Sequence, residues 1–501
     1  MNHLHDALFA PHQGSDRPFL TTPDGAALSY GAFVDLAARY AQAMADAGLK
    51  PGDRLALQLD KSAEMLAVIA AAIRAGVVFL PLNTAYTAAE VDYFIRDAGA
   101  RMLLADPAYA DRLAPVAKAA GVRLETLVPG GAGSFQAAAA GLPPVARAPG
   151  DLAAFLYTSG TTGRSKGAML SHDNLLSNAR TLVDLWRFGP EDVLLHALPI
   201  FHTHGLFVAT NVVLLAGASM IFLPKFDARE VMRLLPQATT MMGVPTFYTR
   251  LLAEPGLTPE AARHMRLFVS GSAPLLAETH RDWHVRTGHR ILERYGMTET
   301  NMNCSNPYEG ERRPGTVGQA LPGVEVRVCD GTGAELPRGE VGVLEVRGPN
   351  VFQGYWRMPD KTRDELRPSG FFITGDLAVM GADGYVTIVG RAKDLVISGG
   401  YNIYPKEVED LLDAQPGVQE SAVVGVPHPD FGEAVVAVLV PDPGVTLDMG
   451  AIQSALGRDL ARFKQPKRIE VMADLPRNSM GKVQKNLLRE RFWGLFSDPK
   501  G

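Results

Sequence analysis

Thr158-Ser159-Gly160-Thr161-Thr162-Gly163-Arg164-Ser165-Lys166-Gly167 follows an apolar, strand-like run over 152–157 and leads into Ala168-Met169-Leu170. Glycines permit backbone paths with positive φ, so successive N–H groups can converge on one anion while hydroxyls and a lysine add donors and charge. Such a loop holds a polyphosphate. It departs from the common P-loop: Ser165 stands where that motif has glycine before the lysine, and Gly167 where it has the magnesium-binding Ser or Thr. A nucleotide bound here needs its metal handled by another residue. On these residues alone a Gly/Ser/Thr-rich surface turn stays open as the other reading.

The chain before the loop alternates between the two hydrophobic periods. Residues 30–48 carry apolar side chains at helical spacing and stop at Gly48, 53–59 alternates as a strand, and 61–75 is a helix. Strand, helix and strand then recur at 77–82, 88–98 and 102–105, an order that implies a parallel sheet covered by helices. Residues 130–150, rich in Gly, Ala and Pro, form an irregular connector to the loop. Beyond it Ser171 is the expected N-cap of a helix over 174–185. Two buried strands follow, one entering Gly243-Val244-Pro245-Thr246 and one entering Ser270-Gly271-Ser272-Ala273-Pro274. In open parallel sheets ligands sit at the carboxyl ends of strands, so both ends and the phosphate loop are expected to share one crevice.

Candidate chemistry clusters at similar turns. The run Ile291-Leu292-Glu293-Arg294-Tyr295-Gly296-Met297-Thr298-Glu299 leaves an apolar stretch for a turn carrying an acid. A carboxylate facing a triphosphate can hold magnesium; a solvated loop acid is the alternative. His202-Thr203-His204 has the spacing of a metal pair but lacks a third ligand at a familiar distance, which leaves packing or substrate contact. From Gly315 the pattern changes to short alternating strands at 324–328, 342–346 and 385–389, barrel-like antiparallel material. Asp376 ends a strand where it suits ribose hydroxyls. Beyond Gly390-Arg391-Ala392-Lys393-Asp394 a helix at 405–414, strands at 420–426 and 434–440, a helix at 449–460 and a strand at 468–471 form a small α+β unit. Lys482 follows on a glycine-bearing loop.

Composition narrows the class. Charged content of 21%, hydrophobic content of 47% and a net charge of -5 are those of an ordinary globular enzyme and give no footprint for nucleic acid. Cys304 and Cys329 have neither metal-ligand nor disulfide spacing, and no apolar run approaches the roughly 18 residues of a membrane span. The expectation is a cytoplasmic protein with no membrane and no nucleic-acid partner.

Taken together, the phosphate loop, Tyr295-Gly296-Met297-Thr298-Glu299, Thr374-Gly375-Asp376, Gly390-Arg391-Ala392-Lys393-Asp394 and Gly481-Lys482 resemble, in order and over essentially the whole chain, the acyl-adenylate-forming superfamily. Acyl-CoA synthetases, peptide-synthetase adenylation domains and firefly luciferase belong to it. The resemblance implies an α/β fold: a large N-terminal domain, 1–392, of two helix-flanked sheets and a distorted β-barrel, and a mobile α+β C-terminal lid domain, 393–501. It implies ATP, Mg2+ and coenzyme A as cofactors. Thr158, Ser159, Gly160, Thr161, Thr162, Gly163 and Lys166 would hold phosphates, and Gly271, Ala273, Pro274 and Tyr295 the adenine, with Glu293, Arg294 and Thr298 in the same nucleotide set. Asp376 and Arg391 would hold the ribose, Glu299 with Thr158 the metal, and Ser398, Gly399 and Gly400 the pantetheine arm. Lys482, Glu299 and His204 are the implied catalytic set, and Lys393 the hinge.

The acid itself is read from arginine. A fatty or aryl pocket has no use for buried guanidinium groups, whereas a second carboxylate requires one. Arg250 and Arg294, with His204 and Ser270, are therefore the candidate substrate contacts, and the run from Arg294 through Tyr308 is similar to that of malonyl-CoA synthetases. Malonate activation by a monomer or weak homo-oligomer is the expectation. A fatty or aromatic acyl-CoA synthetase, an amino-acid adenylating enzyme, a plain ATPase and a non-catalytic acyl-nucleotide binding protein are the alternatives.

Overall fold

The computed structural model describes residues 1–158, 165–398, 401–478 and 481–496. Two sheets dominate its first part. The smaller orders its strands Arg123–Thr126, Met102–Ala105, Arg54–Gln58, Val78–Pro81, Leu152–Thr158 and Lys166–Ser171, all parallel except the last. That antiparallel edge pair carries the ends of the phosphate loop, with Thr158 opposite Lys166. The larger sheet runs Gln319–Ala320, Asn301–Ser305, Leu292–Met297, Leu267–Ser270, Thr240–Gly243, Val193–His196, Ser219–Phe222, Pro18–Thr21 and Ala27–Ser29, parallel from Leu292–Met297 through Pro18–Thr21. Its central strands are short and fully buried, as unbroken apolar runs require. Side chains from both sheets and the helices between them, among them Phe79, Leu206 and Phe207, form one continuous core.

Local chemistry sets the helix limits. The expected helix at 61–75 begins at Ala63, because the Ser62 hydroxyl accepts the Met65 N–H as N-cap. Ser171 caps His172–Trp186 as expected, and Asn174 closes the box by accepting the Ser171 N–H. The expected acid-bearing turn is present at 298–300, but it starts two residues later than Gly296. The strand Leu292–Met297 runs through Gly296 and returns antiparallel as Asn301–Ser305. A Cβ at Gly296 would lie 1.9 Å from the Asn301 oxygen, so only glycine allows this return.

Strands Glu325–Cys329, Val341–Arg347, Phe372–Met380 and Val386–Arg391 make an antiparallel meander. A bridge between Gly318 and Val386 joins it to the return strands of the large sheet, and Cys304, Val328, Leu344, Ala378 and Val386 fill the barrel-like interior. Beyond it, Gly432–Pro441 pairs with Val396–Ser398, Val418–His428 and Arg468–Val471. Helices Pro405–Asp413 and Met449–Asp459 cover one face of this small sheet, and Lys485–Phe492 covers the other. The fold is thus a large α/β domain with two sheets and a barrel, followed by a smaller α+β domain. Among the described residues no helix is long and apolar enough to cross a membrane.

Candidate active site

The carboxyl ends of Thr240–Gly243, Leu267–Ser270 and Leu292–Met297 are neighbours in the large sheet, and the site is built on their turns. After Ser270 the chain bends through Gly271 into Ser272, whose φ of 71° is left-handed. A Cβ at Gly271 would come within 2.4 Å of the Arg294 guanidinium carbon, so glycine lets that side chain lie flat against the turn. Arg294 is 4% exposed, and its Nε and Nη2 have no hydrogen-bond partner among the described residues. His204, 1% exposed, opens the π-helical turn His204–Thr210, a type of irregularity frequent at functional sites. Its Nδ1 lies 3.2 Å from Ser272 Oγ, while its Nε2, like Ser270 Oγ, is buried without a partner among the described residues.

Burial and mutual repulsion fix the charges of this group. Burial brings the Arg294 pKa down to about 9, which still leaves the guanidinium cationic at neutral pH. The His204 imidazole is held well below its ordinary range, first by burial and then by Arg294, so it is neutral. Burial, with Arg294 and Lys482 nearby, likewise lowers His202 to about 4. A buried donor left unpaired costs about 1–3 kcal/mol, and more when charged, so these orphan atoms describe a cradle for an anion.

On the other side of the Leu292–Met297 strand lie the groups expected to meet a nucleotide. Tyr295 donates its hydroxyl to Asp376, whose other oxygen is 2.5 Å from Arg391 Nε. Asp376 is held in turn by its own N–H, which donates to Thr374 Oγ1 at 3.0 Å. Glu299, 5% exposed, lies 3.0 Å from the Tyr355 hydroxyl and 3.5 Å from Thr158 Oγ1. Burial pushes its carboxyl pKa up, so it gains from a nearby cation. A carboxylate and a hydroxyl oxygen are the hard donors Mg2+ takes alongside phosphate oxygens, and the pair fits that ion. Lys166 sits 3.3 Å from Glu365 Oε2 and 4.0 Å from the centre of the Tyr355 ring. Thr298 and Ala273 are half-buried, and Pro274 is exposed.

The loop of the smaller domain reaches this cleft. A Cβ at Gly481 would sit 3.2 Å from Thr246 Oγ1 of the large domain, and the loop is closed by Asn478, which accepts the Lys482 N–H at 3.0 Å. Lys482 is exposed in the cleft, yet lost hydration and the Arg391 charge lower its pKa to about 8, with Asp376 pulling the other way. Lys393, exposed, lies in the helical turn Ala392–Asp394, and Asp394 pairs with Arg489 of the last helix. Ser398 is buried in its strand. Ser159, Gly160, Thr161, Thr162 and Gly163 of the phosphate loop, and Gly399 and Gly400, lie outside the described residues.

Two expectations change. Arg250 is exposed: in the helix Pro245–Leu252 the buried face is Tyr248 and Leu251, and position 250 points elsewhere. The expected pair of buried guanidinium groups is Arg294 alone. Glu293 is buried as part of the packing, its Oε1 3.3 Å from His280 Nδ1 and accepting the Gly315 N–H. Sequence reasoning missed Ser272, Tyr355 and Glu365. The left-handed Ser272 has no local marker, and Glu365 belongs to a charged helix, Pro359–Glu365, in which no one acid stands out.

Comparison with known proteins identifies the family. Residues 9–356 match the AMP-binding enzyme family and 407–482 the AMP-binding enzyme C-terminal domain. ATP-bound MatB from Rhodopseudomonas palustris superposes with a TM-score of 0.96 at 57% identity, covering 99% of this chain and 100% of that one. The apo form of the same protein gives 0.85 at 58% identity with the same coverage. A malonate–CoA ligase of Arabidopsis thaliana is 33% identical, covering 88% of this chain and 78% of its own. Feruloyl-CoA synthase of an Amycolatopsis species is 36% identical, covering 93% and 94%. The chain belongs to the AMP-binding enzyme family.

Proposed function

We propose that the protein is an AMP-forming malonate–CoA ligase. In the first half-reaction one malonate oxygen attacks the α-phosphorus of ATP, the α–β anhydride bond breaks, and pyrophosphate leaves with the electron pair. In the second the coenzyme A sulfur attacks the acyl carbon and AMP leaves. Relatives at 33–36% identity are named for both malonate and a feruloyl group, so identity at that level does not choose the acid. The observation that carries the choice is the buried set of Arg294 Nε and Nη2, His204 Nε2 and Ser270 Oγ, without partners among the described residues. A second carboxylate satisfies these atoms, and an alkyl or aryl chain strands them.

The neutral His204 needs its Nε2–H turned toward that carboxylate. The Ser272 hydroxyl beside Nδ1 favours this tautomer by donating to it. At the other carboxylate, Lys482 would neutralise charge shared with the α-phosphate, while Lys166 and the loop donors take the leaving pyrophosphate. Asp376 and Arg391 would hold the ribose, Gly271, Ala273, Pro274, Tyr295 and Thr298 the adenine end, and Ser398, Gly399 and Gly400 the pantetheine arm. Mg2+ on Glu299 and Thr158 would supply charge neutralisation when bound. Lys482 must be inside for the first step and withdrawn for the second, so we place the domain boundary at 393 with Lys393 as pivot. A cytoplasmic monomer or weak homo-oligomer is the working state, in keeping with two buried free cysteines.

A pyrophosphate-release screen over mono- and dicarboxylic acids, with and without coenzyme A, tests the reading. Malonate should be fastest and methylmalonate second, with acetate, octanoate and benzoate at background. Preference for octanoate or benzoate returns the protein to a general acyl-CoA synthetase.

A further inference from the structure

Lys166 has a partner that the reaction above does not use. Its ammonium lies 3.3 and 3.5 Å from the two oxygens of Glu365, at the end of the helix Pro359–Glu365, and rests on the Tyr355 ring. Glu365 is held more tightly by others: Lys361, one turn earlier, is 2.7 Å from Oε1, and the Tyr355 hydroxyl is 2.6 Å from Oε2. That same hydroxyl lies 3.0 Å from the metal acid Glu299. Two lysines therefore share one carboxylate unequally. The Lys166 side chain is 11% exposed and its contacts are long, whereas that of Lys361 is 35% exposed and its contact is short. Removing one member of a buried ion pair is costly chiefly because the other charge is stranded. Here Lys361 and Tyr355 already satisfy Glu365, so Lys166 can leave without stranding it.

We propose that Glu365 is a positioning residue: it is the resting partner of Lys166, and Lys361 is the counter-ion that keeps Glu365 compensated when Lys166 turns to a bound polyphosphate. The inference rests on the reading of residues 158–167 as the phosphate site of the nucleotide. Glu365 and the polyphosphate then compete for one ammonium. Lys361 favours the polyphosphate only through Glu365.

The test is calorimetric binding of inorganic pyrophosphate with Mg2+ to the full chain, alongside KM for ATP, in wild type, Glu365→Gln, Lys361→Met and the double variant. Glu365→Gln should tighten pyrophosphate about five-fold and Lys361→Met weaken it about five-fold, while the double variant stays within about two-fold of Glu365→Gln. Simple long-range charge effects predict additivity instead, with the double variant back at wild-type affinity; that result overturns the proposal. Weakened binding in both single variants also overturns it. Should Glu365→Gln not fold, Lys361→Met must still weaken binding and Lys361→Arg retain it. Wild type that neither binds pyrophosphate nor releases it from ATP fails the phosphate-site reading itself, which is distinct from a binding wild type whose variants miss the pattern.

Discussion

In the proposed complex Arg294 and Lys482 are the two cations facing the acid, and they reach it from different kinds of backbone. Arg294 projects from a strand inside a sheet, is buried on all sides, and lies against a turn that tolerates only glycine. Lys482 stands exposed on a loop of the smaller domain, closed by one asparagine and touching the large domain near Thr246. A charge fixed in a rigid, dehydrated wall selects, since it cannot move away from a ligand that leaves it unpaired. A charge on a separable domain can act in one step and be withdrawn for the next. Recognition and activation are thus assigned to different domains.

The largest effect should come from breaking the mobile end. Lys482→Ala is expected to slow acyl-adenylate formation about 10³-fold, the scale for losing a donor aimed at developing charge. Thioester formation from supplied malonyl-adenylate should stay within about three-fold, because the lysine has no charge to meet there. Stopped-flow measurement of each half-reaction separates the two; equal losses would erase the division. Arg294→Ala attacks the fixed end. Breaking a buried charge pair costs about 3–5 kcal/mol, so kcat/KM for malonate should fall at least roughly 10²-fold while KM for ATP holds. If malonate activity survives this change, the orphan donors have another purpose.

A smaller effect sharpens the same contrast through pH. The Lys482 pKa is lowered to about 8, and only the protonated form carries the charge the first step needs. Below that value kcat/KM for malonate should be flat. Above it the charged fraction of free enzyme falls, so kcat/KM should drop about tenfold per pH unit. The limb in kcat should lie higher, since bound phosphate favours the ammonium. Lys482→Arg should remove this limb, and a limb that persists belongs to another group.

How much of this was legible in the sequence depended on whether the signal was local. Buried parallel strands such as Thr240–Gly243 and Leu267–Ser270 are apolar runs ending in small residues, and the small domain alternates cleanly enough that Arg468–Val471 matches its expectation. The return strand Asn301–Ser305 was not legible, because its interior is polar: Asn301, Asn303 and Ser305 are buried, and Met302 meets Asn178 and Asn350 through its backbone. Contacts made at a distance left no trace either. Lys166 and Glu365 are 199 residues apart, and Ser272 and His204 are 68 apart across two turns. The phosphate loop and Lys482 could be read because glycine spacing marks them, whereas what holds Lys166 between turnovers could not.

Arg250 gives the smallest predicted effect and the sharpest check on the fixed end. Its sequence position, one turn into the helix after Val244-Pro245, made it look like the twin of Arg294, yet helical geometry turns it away from the face that Tyr248 and Leu251 bury. An exposed guanidinium keeps its hydration and interacts through a high dielectric, where a charge contact is worth about 0–1 kcal/mol. Arg250→Ala should therefore lower kcat/KM for malonate by no more than about three-fold, and added salt should shrink even that difference. Arg294→Ala should be insensitive to salt by comparison, because its surroundings exclude the ions that would screen it. Measuring both variants from low to moderate ionic strength makes the two arginines controls for each other. A loss at Arg250 as large and as salt-resistant as that at Arg294 would mean that this helix turns inward when the acid binds, and the fixed wall would have to be enlarged to include it.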